Sequence, residues 1–363
     1  MSRVVYLHIG APKTGTTYLQ DRLLLNRPLL ADHDVHYPIG LHGSHFRPAL
    51  DLIDMPWGGQ REDVRGEWDG LVGRVRRHSG SVIISHEILA AAKPAQIKRA
   101  MESLDGAEVH LVYSARDLAR QIPAEWQEGV KHQRSKSFAR FVTEVQEAPR
   151  ERSKLWFWRA QGLPDVLSRW TRGLAPEHVH LVTLPQSGAP RDTLWLRYSQ
   201  AFGIDPAWAP EESASENVSI GTAETALLRK LNRRLRQAGL SSDDYRRLVR
   251  EIMVHETLAR REGMTRATLP PAAYPWAAEV ADEWVDWVEG SGIDVIGDVE
   301  ELRPVPPPDG ERWHNPDTPR RPEMVDAALD ALVVMTLEAA KRPDPHEQIT
   351  ARIGRAARRL RGQ

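Results

Sequence analysis

The chain has 363 residues, with 49 Lys and Arg residues against 50 Asp and Glu residues, and a formal net charge of −1. This balance excludes a protein that coats nucleic acid through a general excess of positive charge. The absence of cysteine excludes disulfide scaffolds, thiolate metal sites and cysteine nucleophiles. There is no signal-peptide pattern and no apolar run of about 18 residues, so we expect a cytoplasmic protein without integral membrane association.

The first two hundred or so residues alternate short apolar runs with amphipathic segments. This alternation is typical of an α/β fold with a mostly parallel sheet. Strands with little polar alternation, as expected where both faces are covered, are predicted over 4–9, 81–85, 109–113 and 178–183. Helices are predicted over 17–30, 94–104, 118–130, 137–147, 154–172 and 193–202.

The pattern changes after residue 217. Helical periodicity predominates over 222–238, 242–262 and 278–289, the segment 304–322 contains seven prolines, and 322–341 is again helical. We therefore expect an α/β domain over 1–217, a helical extension packed on it over 218–303, a proline-rich linker over 304–322, and C-terminal helices over 323–363. Five arginines at 352, 355, 358, 359 and 361 are compatible with a membrane-surface or anion-binding helix. We favour the simpler interpretation of a solvated helix end.

A glycine-containing loop follows the first strand directly and opens a helix. Its sequence is Gly10-Ala11-Pro12-Lys13-Thr14-Gly15-Thr16-Thr17. Backbone N–H groups and the helix dipole face an anion in such a loop, which predicts a phosphate site. Thr16 stands where a Walker A loop has its lysine, so the loop fits ATP chemistry poorly. The alternative is a tight turn that uses glycine only for its backbone angles.

Charged residues also follow two other predicted strands. His86-Glu87 follows 81–85, and Arg116-Asp117 comes shortly after 109–113. Ligands of open α/β sheets gather beyond the carboxyl ends of strands, so these side chains are candidates for the same site. The alternatives are a histidine bonded to backbone, a carboxylate in the first turn of a helix, and a surface ion pair between the arginine and the aspartate.

The segment Pro12-Lys13-Thr14-Gly15-Thr16-Thr17, followed by Tyr18, resembles the 5′-phosphosulfate loop of sulfotransferases that use 3′-phosphoadenosine-5′-phosphosulfate (PAPS). The strand that leads into Arg116-Asp117 resembles the 3′-phosphate signature of that family. The resemblance covers about residues 3–205 and implies a P-loop-like three-layer sandwich with PAPS as co-substrate and no metal. It assigns Lys13 to the phosphosulfate and Arg116 to the 3′-phosphate. Further nucleotide ligands are then expected at Thr14, Gly15, Thr16 and Thr17.

The resemblance also implies a catalytic base. Carbohydrate sulfotransferases have a glutamate at a similar spacing before the 3′-phosphate strand, which favours Glu87, whereas small-molecule cytosolic enzymes have a histidine nearby, which leaves His86 as the alternative. One family residue is missing, because Ala124 stands where a serine holds the 3′-phosphate. Gln121 is the expected substitute, with Lys131 and Arg134 as further candidates.

These features favour a sulfotransferase that moves the sulfuryl group of PAPS to a hydroxyl or amine. The acceptor, whether a small molecule, a carbohydrate or a lipid, is not specified by the sequence. No nucleic-acid partner is expected, and a homo-oligomer is compatible with the sequence. The alternatives are a kinase-like P-loop phosphotransferase and a catalytically silent nucleotide-binding protein.

Overall fold

The structure, a computed structural model, describes residues 3–41, 43–55, 64–213, 219–308 and 310–342. Its strands are β1 (Arg3–His8), β2 (Val35–His36), β3 (Ser81–Ser85), β4 (Ala107–Ala115), β5 (Val179–Thr183) and β6 (Asp294–Ile296). They form one six-stranded sheet in the order β2-β3-β1-β4-β5-β6, with every pairing parallel. The predicted α/β class with a mostly parallel sheet is therefore confirmed.

The four predicted strands correspond to β1, β3, β4 and β5, with small differences at their ends. The sequence does not predict β2 or β6, because strands of two or three residues leave no measurable alternation. β6 pairs Ile296 with Val182. The segment predicted as a helical extension over 218–303 therefore also contributes a strand, which lies at the edge of the sheet.

Helices account for most of the remaining described residues. The α-helices are α1 (Thr16–Leu25), α2 (Arg27–Asp32), α3 (Phe46–Ile53), α4 (Glu67–Val75), α5 (Pro94–Ser103), α6 (Leu118–Lys131), α7 (Phe138–Glu147), α8 (Trp156–Gln161), α9 (Leu163–Trp170), α10 (Thr193–Ala201), α11 (Thr222–Gln237), α12 (Ser242–Asp244), α13 (Tyr274–Ser291) and α14 (Arg321–Ala340). Short 3₁₀ helices cover Glu87–Ala91, Pro176–His178, Pro206–Trp208, Leu258–Arg260, Pro271–Ala273 and Val299–Leu302. A π-helix over Tyr245–His255 takes most of the segment predicted as an α-helix over 242–262.

Two predicted long helices are each divided in two. The helix predicted over 17–30 breaks at Asn26, and Pro28 lies in the first turn of α2. The helix predicted over 154–172 divides in the same way, with Pro164 in the first turn of α9. Proline has no backbone N–H and fits only the first turn of a helix, so each proline starts a new helix instead of continuing the old one.

Apolar clusters lie on both faces of the sheet. Successive residues of β1 serve opposite faces, as the period of a strand requires. Val5 and Leu7 belong to the larger cluster, whereas Tyr6 packs against the smaller one. The smaller cluster also contains Leu19 and Leu23 of α1. Burial of this face therefore fixes the first helix beside the end of β1, where the glycine loop lies.

The proline-rich segment 304–322 is anchored through Asp317. Its carboxylate accepts hydrogen bonds from the backbone N–H groups of Phe138 and Ala139, both at 2.9 Å, and it pairs with Arg229. Asp317 thus satisfies N–H groups in the first turn of α7, which have no acceptor within their own helix.

The helix predicted over 322–341 is α14. The arginine-rich end predicted beyond it, at 352–361, lies outside the described residues. Within the described ranges, no helix combines the length and the apolar character needed to cross a bilayer. The division into domains at 217, 303 and 322 stays a prediction.

We expect Asp317→Ala to lower the free energy of unfolding by about 2 kcal/mol, because it removes the acceptor of two helix N–H groups and the partner of a largely buried guanidinium. Chemical denaturation measures the change. Asp326→Ala, at an exposed position of α14, is the control and should stay within about 0.5 kcal/mol of the unmodified chain. Equal stability of the two variants would contradict the anchoring role of Asp317.

Candidate functional site

The glycine loop connects β1 to α1 and brings the ends of two strands together. Gly10 has φ +109°, and a Cβ atom built there would lie 2.9 Å from both the Cα and the carbonyl oxygen of Glu87. Gly15, with φ +80°, immediately precedes the first residue of α1. Only glycine tolerates the first of these positions, so this close approach sets the loop directly against Glu87.

Buried hydroxyl groups hold the loop from beneath. The Thr14 hydroxyl donates to the Ala11 carbonyl at 2.5 Å and lies 2.6 Å from the Ser114 hydroxyl, which reaches the Gly10 carbonyl at 3.0 Å. Thr14 and Ser114 are both fully buried. The predicted loop residue Thr14 therefore serves the loop through its side chain, and its hydroxyl is not free for a ligand.

His8 continues this buried network toward β3 and is not among the site residues predicted from the sequence. Its Nδ1 lies 2.8 Å from the Ser85 hydroxyl and its Nε2 lies 3.3 Å from the Ser114 hydroxyl. Burial lowers the pKa of His8 to about 3, so the imidazole is neutral at neutral pH. The available signal was a titratable residue in an otherwise apolar strand.

The loop also presents groups that can face an anion. No described residue accepts a hydrogen bond from the backbone N–H of Lys13, Thr14 or Gly15. Unpaired N–H groups of this kind, followed by a helix N-terminus, suit a phosphate or sulfate oxygen. Of the two following loop residues predicted as ligands, Thr16 is buried and Thr17 is exposed.

Lys13 belongs to the loop, and its side chain is held by α6. Its Nζ is 2.9 Å from Glu128 Oε2, and both side chains are about a quarter exposed. The Glu128 carboxylate also accepts from His132 at 3.1 Å, and Lys131 lies at 4.0 Å. Although burial acts to raise the pKa of Glu128, these partners lower it well below its usual range. An ionised carboxylate therefore positions the lysine.

Glu87 points toward the start of α1. Its Oε2 accepts from Gln20 Nε2 at 3.1 Å, and the Thr16 hydroxyl is a further donor. Burial acts to raise the pKa of Glu87, but the nearby His86 and these hydrogen bonds outweigh it, and the pKa is lowered. The carboxylate is therefore ionised at neutral pH and is able to accept a proton from a bound hydroxyl group.

His86 has a structural partner. Its Nδ1 accepts the backbone N–H of Ile88 at 3.3 Å, which caps the 3₁₀ helix Glu87–Ala91. The ring is buried against Phe46, and burial lowers the pKa of His86. This geometry matches the interpretation of His86 as a histidine bonded to backbone, and its role as an alternative base stays a prediction.

Arg116 lies beside the loop with part of its guanidinium unpaired. Its terminal nitrogen is 3.5 Å from the Lys13 carbonyl, and its Nε is buried with no hydrogen-bond partner among the described residues. Burial and the neighbouring Arg120 lower the pKa of Arg116 to about 10. Asp117 pairs with Arg120 instead, so the alternative of an ordinary Arg116–Asp117 surface pair is wrong.

The three candidates for the missing serine lie in different places. Gln121 Nε2 donates to the Pro12 carbonyl at 2.6 Å, and its buried Oε1 has no partner among the described residues. Burial and the neighbouring Lys13 lower the pKa of Lys131 to about 8. Arg134 lines a separate cavity. Gln121 is therefore the candidate in direct contact with the loop.

That cavity has a volume of about 590 Å³ and lies between α6, α7, α8 and α11. Six cationic side chains line it: Arg134, Lys136, Arg140, Arg229, Arg233 and Arg236. Aromatic rings of Trp126 and Trp156 form part of its wall. Glu125 also faces it and lies one helical turn before Glu128, so the cavity adjoins the helix face that positions Lys13. Glu144 also lines the cavity and pairs with Lys136 and Arg140, but cations remain in excess, and this excess favours a ligand with an anionic group.

The loop, Glu87 and Arg116 thus meet in one contact network at the carboxyl ends of β1, β3 and β4, as the sequence predicts. Lys13 and Arg116 supply positive charge, and Glu87 supplies a carboxylate. The arrangement can bind a doubly anionic ligand and remove a proton from a neighbouring group.

Comparisons with known proteins gave two partial structural similarities. No family model and no curated protein sequence matches the chain. A sulfotransferase from Alicyclobacillus acidocaldarius is similar with 16% identity and a TM-score of 0.36, covering 68% of this chain and 100% of that one. The sulfotransferase domain from the curacin biosynthetic pathway is similar with 10% identity and a TM-score of 0.31, covering 56% and 75%. Similarity at this level establishes no family.

Glu125 should make stability depend on pH. Burial raises its folded pKa to about 7, above the ordinary value of 4.5. The unfolded chain therefore releases this proton first, and the resulting destabilisation is absent below about pH 4.5 and complete above about pH 7. Chemical denaturation should show that Glu125→Gln has a higher free energy of unfolding than the unmodified chain. The difference should be larger at about pH 8 than at about pH 5.

Glu147→Gln, at an exposed position of α7, is the control for that comparison. Its stability relative to the unmodified chain should be the same at both pH values. A Glu125→Gln variant that behaves like this control would contradict the raised pKa of Glu125.

Proposed function

We propose that the chain is a PAPS-dependent sulfotransferase. The observation that carries the proposal is the contact between the glycine loop and Arg116, whose buried Nε has no partner among the described residues. Two anion-binding elements side by side suit a nucleotide with phosphates at two positions of its ribose. PAPS and its product, adenosine 3′,5′-bisphosphate, have this arrangement, with the 5′ group at the loop and the 3′-phosphate at Arg116.

The reaction transfers the sulfuryl group in line. The acceptor oxygen or nitrogen forms a bond to sulfur while the bond from sulfur to the 5′-phosphate oxygen breaks, and adenosine 3′,5′-bisphosphate leaves. Negative charge grows on that bridging oxygen. Lys13 offsets it, supported by the N–H groups of the loop, which need no reorientation when the charge develops.

Glu87 takes the proton of the acceptor. Its carboxylate is ionised and lies against Gly10, so it is adjacent to the loop that would hold the sulfuryl group. Gln20 and Thr16 fix its orientation without removing all of its capacity to accept hydrogen bonds. His86 is less suitable, because its Nδ1 already accepts a backbone N–H and its ring is buried.

Lys13, Glu87 and Arg116 do not line the cation-lined cavity, so we propose it as the place where a remote carboxylate, phosphate or sulfate of an extended acceptor binds. The kinase alternative is weaker, because Thr16 occupies the position of the Walker A lysine and its hydroxyl donates to Glu87.

We expect Arg116→Ala to weaken the binding of adenosine 3′,5′-bisphosphate by about 10- to 100-fold, because a charged hydrogen bond is lost. The affinity for adenosine 5′-monophosphate should change by less than about threefold, since this nucleotide has no 3′-phosphate. Calorimetric titration measures both, with Arg27→Ala at an exposed position of α2 as the control. An equal loss for both nucleotides would contradict the 3′-phosphate role, and tighter binding of ATP with Mg²⁺ would favour the kinase.

We expect Glu87→Gln to bind adenosine 3′,5′-bisphosphate within about twofold of the unmodified chain and to lose about 10²- to 10⁴-fold in single-turnover transfer, the range for removing a general base. His86→Asn should lose less. Labelled PAPS and a panel of phenols, neutral glycans and anionic glycans supply the assay. A fast Glu87→Gln beside an inactive His86→Asn would move the role to His86, and binding without transfer to any acceptor would support the silent alternative.

A further inference from the structure

A second cluster of titratable side chains lies at the amino ends of two strands, opposite the ends that carry the candidate site. Glu108 and His110 are near the start of β4, and His178 immediately precedes β5. The candidate sulfuryl site follows the other ends of the strands, after Ser85 and Ala115. Because all strands are parallel, the cluster and the site are separated by the length of the strands.

Three potential metal ligands converge in this cluster. Glu108 Oε1 is 3.0 Å from His110 Nε2 and 3.9 Å from His178 Nε2, and the three ligand atoms all lie within 4.8 Å of one another. Adjacent ligands of a tetrahedral zinc ion with bonds of about 2.0–2.1 Å lie roughly 3.3 Å apart. Small side-chain rotations would therefore place all three atoms around one ion.

A chain of hydrogen bonds orients the central histidine. His180 Nδ1 lies 2.7 Å from Asp294 Oδ2, and His180 Nε2 lies 2.8 Å from His110 Nδ1. If Asp294 accepts the proton of His180 Nδ1, then His180 Nε2 accepts the proton of His110 Nδ1. His110 Nε2 then presents a lone pair to Glu108.

This tautomer brings two acceptors within 3.0 Å of each other, His110 Nε2 and Glu108 Oε1. Two lone pairs repel at that distance unless a cation or an added proton lies between them. A histidine whose second nitrogen is held by a hydrogen bond to a carboxylate-linked partner is the usual arrangement of a metal ligand.

We propose that Glu108, His110 and His178 bind a zinc ion, with the fourth position open to water. Two imidazoles and one carboxylate suit zinc better than calcium or magnesium, which prefer oxygen ligands alone. His180 and Asp294 act as positioning residues. Glu108 is 43% exposed, so an ion can enter from solvent. The ion would connect β4 to the start of β5 and, through Asp294, stabilise the edge strand β6.

The test uses the full chain after treatment with a chelator, and zinc chloride as the probe. Calorimetry should give one zinc ion per chain, and the thermal midpoint should rise with zinc concentration. His178→Ala should weaken zinc binding at least 100-fold. Asp294→Asn, which changes no ligand, should weaken it by about 10- to 100-fold, the range for loss of an orienting partner. His314→Ala is the control and should bind zinc normally.

Cobalt(II) substitution gives a second readout, since tetrahedral coordination by this ligand set produces visible absorption that His178→Ala should abolish. Glu108→Gln replaces His178→Ala if the latter does not fold. Failure of the unmodified chain to bind zinc, or zinc binding unchanged in Glu108→Gln and Asp294→Asn, would overturn the proposal and leave a proton as the group between Glu108 and His110. Neither result bears on the sulfotransferase proposal.

Discussion

The close approach of Gly10 to Glu87 is the constraint from which the candidate site follows. There is room for a hydrogen atom, but not for a Cβ, between the end of β1 and the backbone of Glu87. This contact determines where the loop turns and therefore where α1 begins. Because α1 carries Gln20 and Thr16, it also determines how the Glu87 carboxylate is held. Loop, helix and carboxylate are consequently joined into one unit by direct contacts.

Two layers of polar contacts make this unit rigid. Beneath the loop, neutral His8 connects Ser85 of β3 to Ser114 of β4, and Ser114 reaches Thr14. Above it, Glu128 holds Lys13. The lower layer is fully buried and nearly uncharged, whereas the upper layer is charged and partly exposed. Such a division keeps the loop geometry constant while it leaves the lysine able to respond to a ligand.

The sequence predicts the parts of this arrangement that depend on local pattern. Strands β1, β3, β4 and β5, the glycine loop, and the placement of Glu87 and Arg116 at strand ends all follow from short apolar runs and what comes after them. Gln20 and Glu128 could not be found in this way, because their partners lie far away in the chain, and for His8 the local signal was a single histidine in an apolar run. β2 and β6 are too short to leave a periodic signal, and the breaks at Pro28 and Pro164 outweigh an otherwise continuous helical pattern.

The position of β6 has a consequence for how the protein is made. During synthesis, β5 emerges from the ribosome well before β6, and until then its outer edge carries unpaired N–H and C=O groups. Two further N–H groups in the first turn of α7 wait still longer, since their acceptor is Asp317. A nascent or truncated chain that stops before β6 would therefore expose an edge open to pairing with other chains. The outer edge of β5 is therefore covered only after the chain has been made through Ile296.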